Sequence, residues 1–425
     1  MEKSKIIKSA KQTKVVKVKV KKAPAIRKIQ KQIKKIKLGI ISKAVTPSVF
    51  VIPPQKKVKS SYATIWQYAA WFSGVLVVVM LVGTIMVVNR PNAKVIGINS
   101  FDSLINQNDV RDQAAPVSFI SGLTGEVVTQ EVAERRPLAV MIENFYTVRP
   151  QSGLSFADLV WEVPTEGGVT RFLAVFQKGL PSRIGPVRSA RSYFIDWARE
   201  LGAFYAHSGG ADDALDELAR GVKNLQDVNE FLNEYAYSRD NKEARPHNLY
   251  TAAELFYSYA EKNGWRITSE LNPWQFVNSD SLTNTPKSVA DKTANEILIP
   301  YFPLEYDVLW KYKVNDGIYE RWMDGKLHQD RITGGILQAK NVIVMFTDVV
   351  PVPRDPKLRV NIRTVGSGPA YLFTNGEVYQ GEWQKKSLES RTEFLDKSGQ
   401  LLQLNPGITW ISVMDKGLEQ ELEYK

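Results

Sequence analysis

Apolar residues fall into three textures along the chain. Between Lys59 and Arg90 no residue is charged, and within that gap residues 69–88, AAWFSGVLVVVMLVGTIMVV, are apolar almost throughout. Twenty helical residues span about 30 Å, the thickness of a bilayer's hydrocarbon core, so the run predicts one transmembrane helix within 63–89. Trp66, Tyr68 and Trp71 cluster at one end of it, as an interfacial aromatic belt would. The second texture precedes the helix. Residues 14–22 alternate Lys and Val, and residues 26–41 place Ile29, Ile33, Ile36 and Ile40 at helical spacing with Lys on the other faces. That pattern suits a basic amphipathic helix on the anionic inner leaflet. Nucleic acid is a competing partner for the same charge, and a disordered topogenic tail over 1–62 is the third reading. Pro47, Pro53 and Pro54 break any helix before the membrane.

The third texture begins after a linker over 90–117. Residues 138–144, 158–163 and 170–176 are short apolar runs that predict buried strands. Residues 191–203 and 212–221 carry helical periodicity, the second ending at Gly221, and 204–210 reads as a strand running into a glycine turn. Residues 278–288, NSDSLTNTPKS, form a candidate linker, and the chain beyond them reads mostly as short strands. Asp316-Gly317, Asp324-Gly325 and Asn375-Gly376 are hairpin dipeptides. The expected class is α+β: a mixed α/β domain over 118–280, then a β-rich domain over 289–425.

Charge divides at the apolar run. Residues 1–60 hold 19 Lys and Arg against the single acid Glu2, a local charge of +18, and the rest of the chain carries −7. The positive-inside rule then sets the Lys-rich end in the cytoplasm and everything after Arg90 outside, in a single-pass plasma-membrane protein. A cleaved signal peptide is not expected, because its basic region would be 60 residues long and no small-residue cleavage site lies beyond the apolar run. The chain has no cysteine. That excludes disulfides, thiolate metal sites, a cysteine nucleophile and a lipid-modified cysteine.

Polar chemistry concentrates between Glu143 and His247. In GPVRSARSYF, 185–194, Pro186 suits a first helical turn, and Arg188, Arg191, Ser192 and Ile195 would then share one face. Two arginines at the positive end of a helix dipole call for a compensating anion. Glu162 or Glu166 would supply it internally, and a carboxylate or phosphate ligand would supply it from outside. Glu166 and Arg171 flank the Gly167-Gly168 turn between two strands. His207 ends a strand, Ser208 is next to it, and the glycine pair there leads to Asp212 and Asp213, which suit the cap of the next helix. Thr251 with Glu254 matches a capping box, leaving Arg245, His247 and Asn248 without a structural role. No nucleophile elbow, phosphate loop or zinc-protease motif occurs, and the spacing of His207 and His247 supports no metal or cofactor.

These motifs make the chain recognisable. AVMIEN, RPQSGLSFADLVWEVPTEGGVTRFLAVF, IGPVRSARSYFIDWA, HSGG and PHNLYT, then YERWMDGKLHQD, NVIVMF, LFTNGEVYQGEWQK and LNPGITWISV, resemble in order the YerB-like family of predicted bacterial lipoproteins, over roughly 118–418. The resemblance implies two domains, an envelope-facing location and a biochemical activity that is not established. This chain departs from the family in its anchor: it has no lipobox cysteine and offers an apolar helix instead.

Three functions are then expected as alternatives. In the first, Glu143, Arg171, Arg188, Arg191, Ser192, Ser208, Arg245, His247 and Asn248 line a cleft for an anionic wall-related ligand, since the arginine fork engages carboxylate or phosphate bidentately. In the second, a hydrolase or transferase uses Glu166 and His207 as acid and base on the same class of substrate. In the third, the polar cluster is an internal ion-pair network and the β-rich region contacts other envelope proteins. Partners under these readings are the membrane, a cell-wall polymer or envelope proteins.

Overall fold

A computed structural model describes residues 118–277, 288 and 290–425. The basic tail, the apolar run 69–88, the linker to 117 and nearly all of the 278–288 linker lie outside the described residues. Among the described residues no helix is long and apolar enough to cross a membrane.

The three apolar runs form strands as expected: β1 (Leu138–Glu143), β2 (Leu159–Pro164) and β3 (Thr170–Phe176). Each is buried almost end to end, because both faces of the sheet they join are covered. Even-numbered side chains such as Val140, Ile142 and Phe172 pack on one face with helix Ala253–Lys262 and with Trp310 and Tyr319. Odd-numbered ones such as Met141, Trp161 and Leu173 pack on the other with helices α1 (Ser192–Arg199) and α2 (Asp212–Ala219). Trp197 of α1 stacks on Trp161 at 4.5 Å between ring centroids.

Strands β4 (Phe204–His207) and β5 (Gln226–Asn229) extend the sheet beyond β1. The other half comes from the C-terminal region: β6 (Lys292–Thr293), β10 (Asn341–Thr347), β11 (Gly366–Thr374), β12 (Glu377–Lys385), β13 (Glu393–Asp396) and β14 (Thr409–Asp415). The order is β6-β12-β11-β10-β14-β2-β3-β1-β4-β5, with β13 paired to β12. Strand β14 pairs in parallel with both β10 and β2, so one sheet runs through the segments on either side of residues 278–289. A second sheet, built on β7 (Glu296–Ile299), β8 (Val308–Lys313) and β9 (Ile318–Met323), lies against one face of the first. Asn375-Gly376 and Asp324-Gly325 are two-residue hairpin loops with both residues at positive φ, as their sequence predicts.

Buried polar networks stitch the two segments together. Arg321 on β9 donates to Glu162 on β2 at 2.6 Å, with both side chains fully buried. Glu162 also accepts from Thr170 at 2.9 Å. Arg321 donates through Nε to His328, whose other nitrogen meets Gln151. Burial and the neighbouring Arg321 charge push the His328 pKa well down, so its ring is neutral.

Two helix boundaries differ from expectation. Residues 185–190 do not form a helical turn: Pro186 and Arg188 pair with the backbone of Glu143 and Met141, and Val187 with Leu249. Helix α1 begins at Ser192 with Arg191 as its cap. Backbone pairing to partners on both sides outweighs the local helical spacing of the arginines. Thr251 is likewise no cap, because its hydroxyl donates to the Ala236 carbonyl and the helix starts after Ala252. Asp212 and Asp213 sit in the first turn of α2, where Ala211 is the cap residue and makes no side-chain bond.

Candidate functional site

Strands β1, β2, β4, β5, β10 and β14 all run in the same direction, so their carboxyl ends share one edge of the sheet. Open α/β sheets gather their sites at such an edge. Every candidate residue read from the sequence lies along it or in a segment packed there. Glu143 ends β1, the Glu166 turn links β2 to β3, His207 ends β4, and the extended segment 186–190 crosses the end of β1.

Two ion clusters occupy the centre of the edge. In the first, Arg171 Nη2 donates to Glu166 Oε1 at 2.8 Å, and Arg191 Nη2 lies 2.7 Å from both Glu166 oxygens. Both arginines are 92% buried, whereas the Glu166 side chain keeps 30% of its surface exposed. One carboxylate thus faces two guanidinium ions, a net charge of +1. Among the described residues the buried Nε–H of Arg191 has no partner. Burial alone would raise the Glu166 pKa, but the two arginines outweigh it and hold the carboxyl at about 2. Burial and the adjacent Arg191 charge in turn lower the Arg171 pKa.

The turn carrying Glu166 is clamped by the C-terminal segment. Gly167 N–H donates to the Leu358 carbonyl at 3.1 Å. Gly168 has φ +81° and lies so close to Phe302 that a Cβ there would meet its carbonyl oxygen at 2.0 Å. Only glycine fits this position.

In the second cluster, buried Glu143 accepts from Arg188 Nη2 at 2.5 Å through one oxygen and meets His247 Nδ1 at 2.8 Å through the other. Glu143 is the cross-strand partner of Arg171, which brings the two clusters side by side. The His247 ring lies nearly parallel to Phe145, 6.0 Å away, and 28% of its side chain is exposed.

The remaining candidates are placed differently. His207 is fully buried, with Nδ1 2.7 Å from the Gly209 carbonyl and Nε2 2.7 Å from Asp227, so neither nitrogen reaches a ligand. The expected acid–base role of His207 is therefore corrected to a structural one. Glu166, locked as an ionised carboxylate, is equally unsuited to carry a proton near neutral pH. Glu162 does not compensate Arg188 or Arg191, since it is spent on Arg321. Ser208 donates to Glu230, which accepts from Arg239, which donates to Asn248 at 3.0 Å. Asn248 is buried in that chain, and Ser192 donates to Asp213. Arg245 is exposed beside His247. Sequence reasoning missed Asp227, Glu230, Arg239 and Arg321, whose roles exist only through contacts between separate elements of the fold. Among the described residues no three metal-binding side chains converge.

Residues 123–266 match the family described as "Protein of unknown function (DUF3048) N-terminal domain", and residues 297–411 match its C-terminal domain. A curated relative from Bacillus subtilis, named "Putative lipoprotein YerB", is 33% identical over 297 residues, 69% of this chain and 85% of the relative. The chain belongs to the YerB-like family. The crystal structure of YerB from Bacillus subtilis superposes with a TM-score of 0.61 at 30% identity, over 70% of this chain and 96% of that one. The edge clusters thus lie within the two segments that define the family, with Glu143 to His247 in the first and the Phe302 and Leu358 clamp in the second.

Proposed function

We propose that this protein works at the cell envelope, anchored by residues 69–88, and binds a carboxylate- or phosphate-bearing ligand where Arg171 and Arg191 converge on Glu166. One observation carries the reading: two buried guanidinium ions share a single, partly exposed carboxylate at the carboxyl edge of the sheet. Buried charge is stable only when paired, so the surplus positive charge favours a second anion. The fork geometry of arginine selects carboxylate or phosphate oxygens for it. A similar two-to-one cluster around Glu200 differs in being fully buried, with Arg391 stacked on Trp274 at 3.9 Å. It offers no route to a ligand.

The location rests on the uncharged apolar run, the charge asymmetry about it, and kinship with a protein named as a lipoprotein. On this reading the basic tail faces the cytoplasm, where anionic lipid or nucleic acid is its partner, and the described residues face the envelope. The test is direct binding of solubilised cell-wall fragments carrying carboxylate or phosphate groups, compared between the natural chain and Arg191→Gln. The reading expects affinity that falls with salt and drops at least about tenfold in the variant. Equal binding by both proteins, or none by either, rejects it.

A further inference from the structure

The chain has three histidines, and the fold sets one of them apart. His207 and His328 are buried with both ring nitrogens engaged. His247 is the exception. Its Nδ1 lies 2.8 Å from Glu143 Oε2 and 3.3 Å from Arg188 Nη2. Arg188 can only donate and an ionised carboxylate can only accept, so these two neighbours demand opposite tautomers. The shorter contact decides between them. A proton on Nδ1 would be donated to Glu143 and, in the neutral ring, would leave the Nε2 lone pair as the free acceptor. Among the described residues nothing bonds to that nitrogen.

The rest of the surroundings hold this state in place. Glu143 is 95% buried, and its second oxygen is tied to Arg188, so it cannot turn away from the ring. Phe145 supports one face of the imidazole, and exposed Tyr146 lies against Phe145 with 4.7 Å between ring centroids. A carboxylate that orients an imidazole and stabilises its charged form, with the far nitrogen open, is the arrangement of a general base. The Arg188 guanidinium beside it suits an oxygen that gains negative charge. The aromatic pair offers an apolar face to a sugar or polyol ring.

We propose that Glu143 and His247 form a general-base pair that hydrolyses an acyl ester borne on a sugar or polyol. Water gives one proton to His247 Nε2 while its oxygen bonds to the acyl carbon, placing negative charge on the carbonyl oxygen. Collapse of this intermediate breaks the bond to the alcohol oxygen, which takes the proton back from Nε2. The products are a carboxylic acid, which ionises, and a free hydroxyl. His247 is the catalytic residue and Glu143 the positioning residue. The proposal needs neither Arg171 nor Arg191, so loss of anion binding in Arg191→Gln leaves it intact.

The experiment uses the full chain with two probes, p-nitrophenyl acetate and a peracetylated sugar, and monitors acetate release. The natural chain should hydrolyse both. His247→Gln alters a partly exposed ring and should fold, and it should lose about a hundredfold in rate. Glu143→Gln should lower the rate and also change the tautomer of His247, read from its ring ¹⁵N shifts; a merely structural role would leave the tautomer unchanged. Nitrogen shifts with Nε2 protonated in the natural chain would overturn the proposal. So would acetate release no faster than buffer, or an undiminished rate in His247→Gln.

Discussion

Replacing Arg321 with Ala breaks a fully buried ion pair that joins the two family segments. Arg321 and Glu162 are fully buried, 2.6 Å apart and 159 residues apart in sequence. The guanidinium also sits 4.5 Å from the Trp410 ring centroid and 5.2 Å from that of Trp310, and donates to His328 at 3.1 Å. Its removal leaves the Glu162 carboxyl group in the core with only the neutral donors Asn144 and Thr170, and leaves His328 Nδ1 without a partner. Breaking a buried pair from one side costs about 3–5 kcal/mol, mostly the desolvation of the abandoned charge. Glu162→Gln with Arg321→Met removes both charges while keeping the acceptor for Thr170, and should recover most of that loss. Urea unfolding of the natural chain, Arg321→Ala, the single variants Arg321→Met and Glu162→Gln and their double, read by tryptophan fluorescence, gives both values and the coupling between the sites. A single-variant loss below about 1 kcal/mol, or strictly additive losses, would refute the reasoning.

Other predictions concern the edge and the core. The Glu166 pKa is lowered from 4.5 to about 2, so its pairing stabilises the fold fully above pH 4.5 and is lost as pH falls toward 2. Glu166→Gln should flatten that limb of the acid unfolding curve, by about 1–2 kcal/mol after allowing for solvent screening. Gly168→Ala should cost at least about 2 kcal/mol through strain and its clash with Phe302. Gly167→Ala, with open space around it, should cost about 1 kcal/mol, and thermal unfolding of the two variants checks the contrast. Trp197→Ala should cost about 3–5 kcal/mol in urea unfolding by emptying the stack on Trp161.

Strands β1, β2 and β3 were legible because a sheet covered on both faces writes itself as unbroken apolar runs. The hairpins at Asp324-Gly325 and Asn375-Gly376 were legible because positive φ at both positions restricts the residues allowed there. The segment 185–190 misled because its helical spacing competes with pairing to Met141, Glu143 and Leu249, none of which local pattern can reveal. Glu143, Glu166, Arg171, Arg188, Arg191 and His247 do converge on one edge. His207 does not share their role because Asp227, on the neighbouring strand β5, closes its free nitrogen. Residue type and position at a strand end indicate a candidate; which partners a side chain has already satisfied depends on contacts far along the chain.

The surplus positive charge at Glu166, Arg171 and Arg191 is the central claim, and titration calorimetry with phosphate- and carboxylate-bearing wall fragments tests it most directly. The account predicts saturable binding by the natural chain that weakens with salt and falls at least about tenfold in Arg191→Gln, while the fold survives. Undiminished binding in that variant, or no binding by the natural chain at low salt, would contradict it.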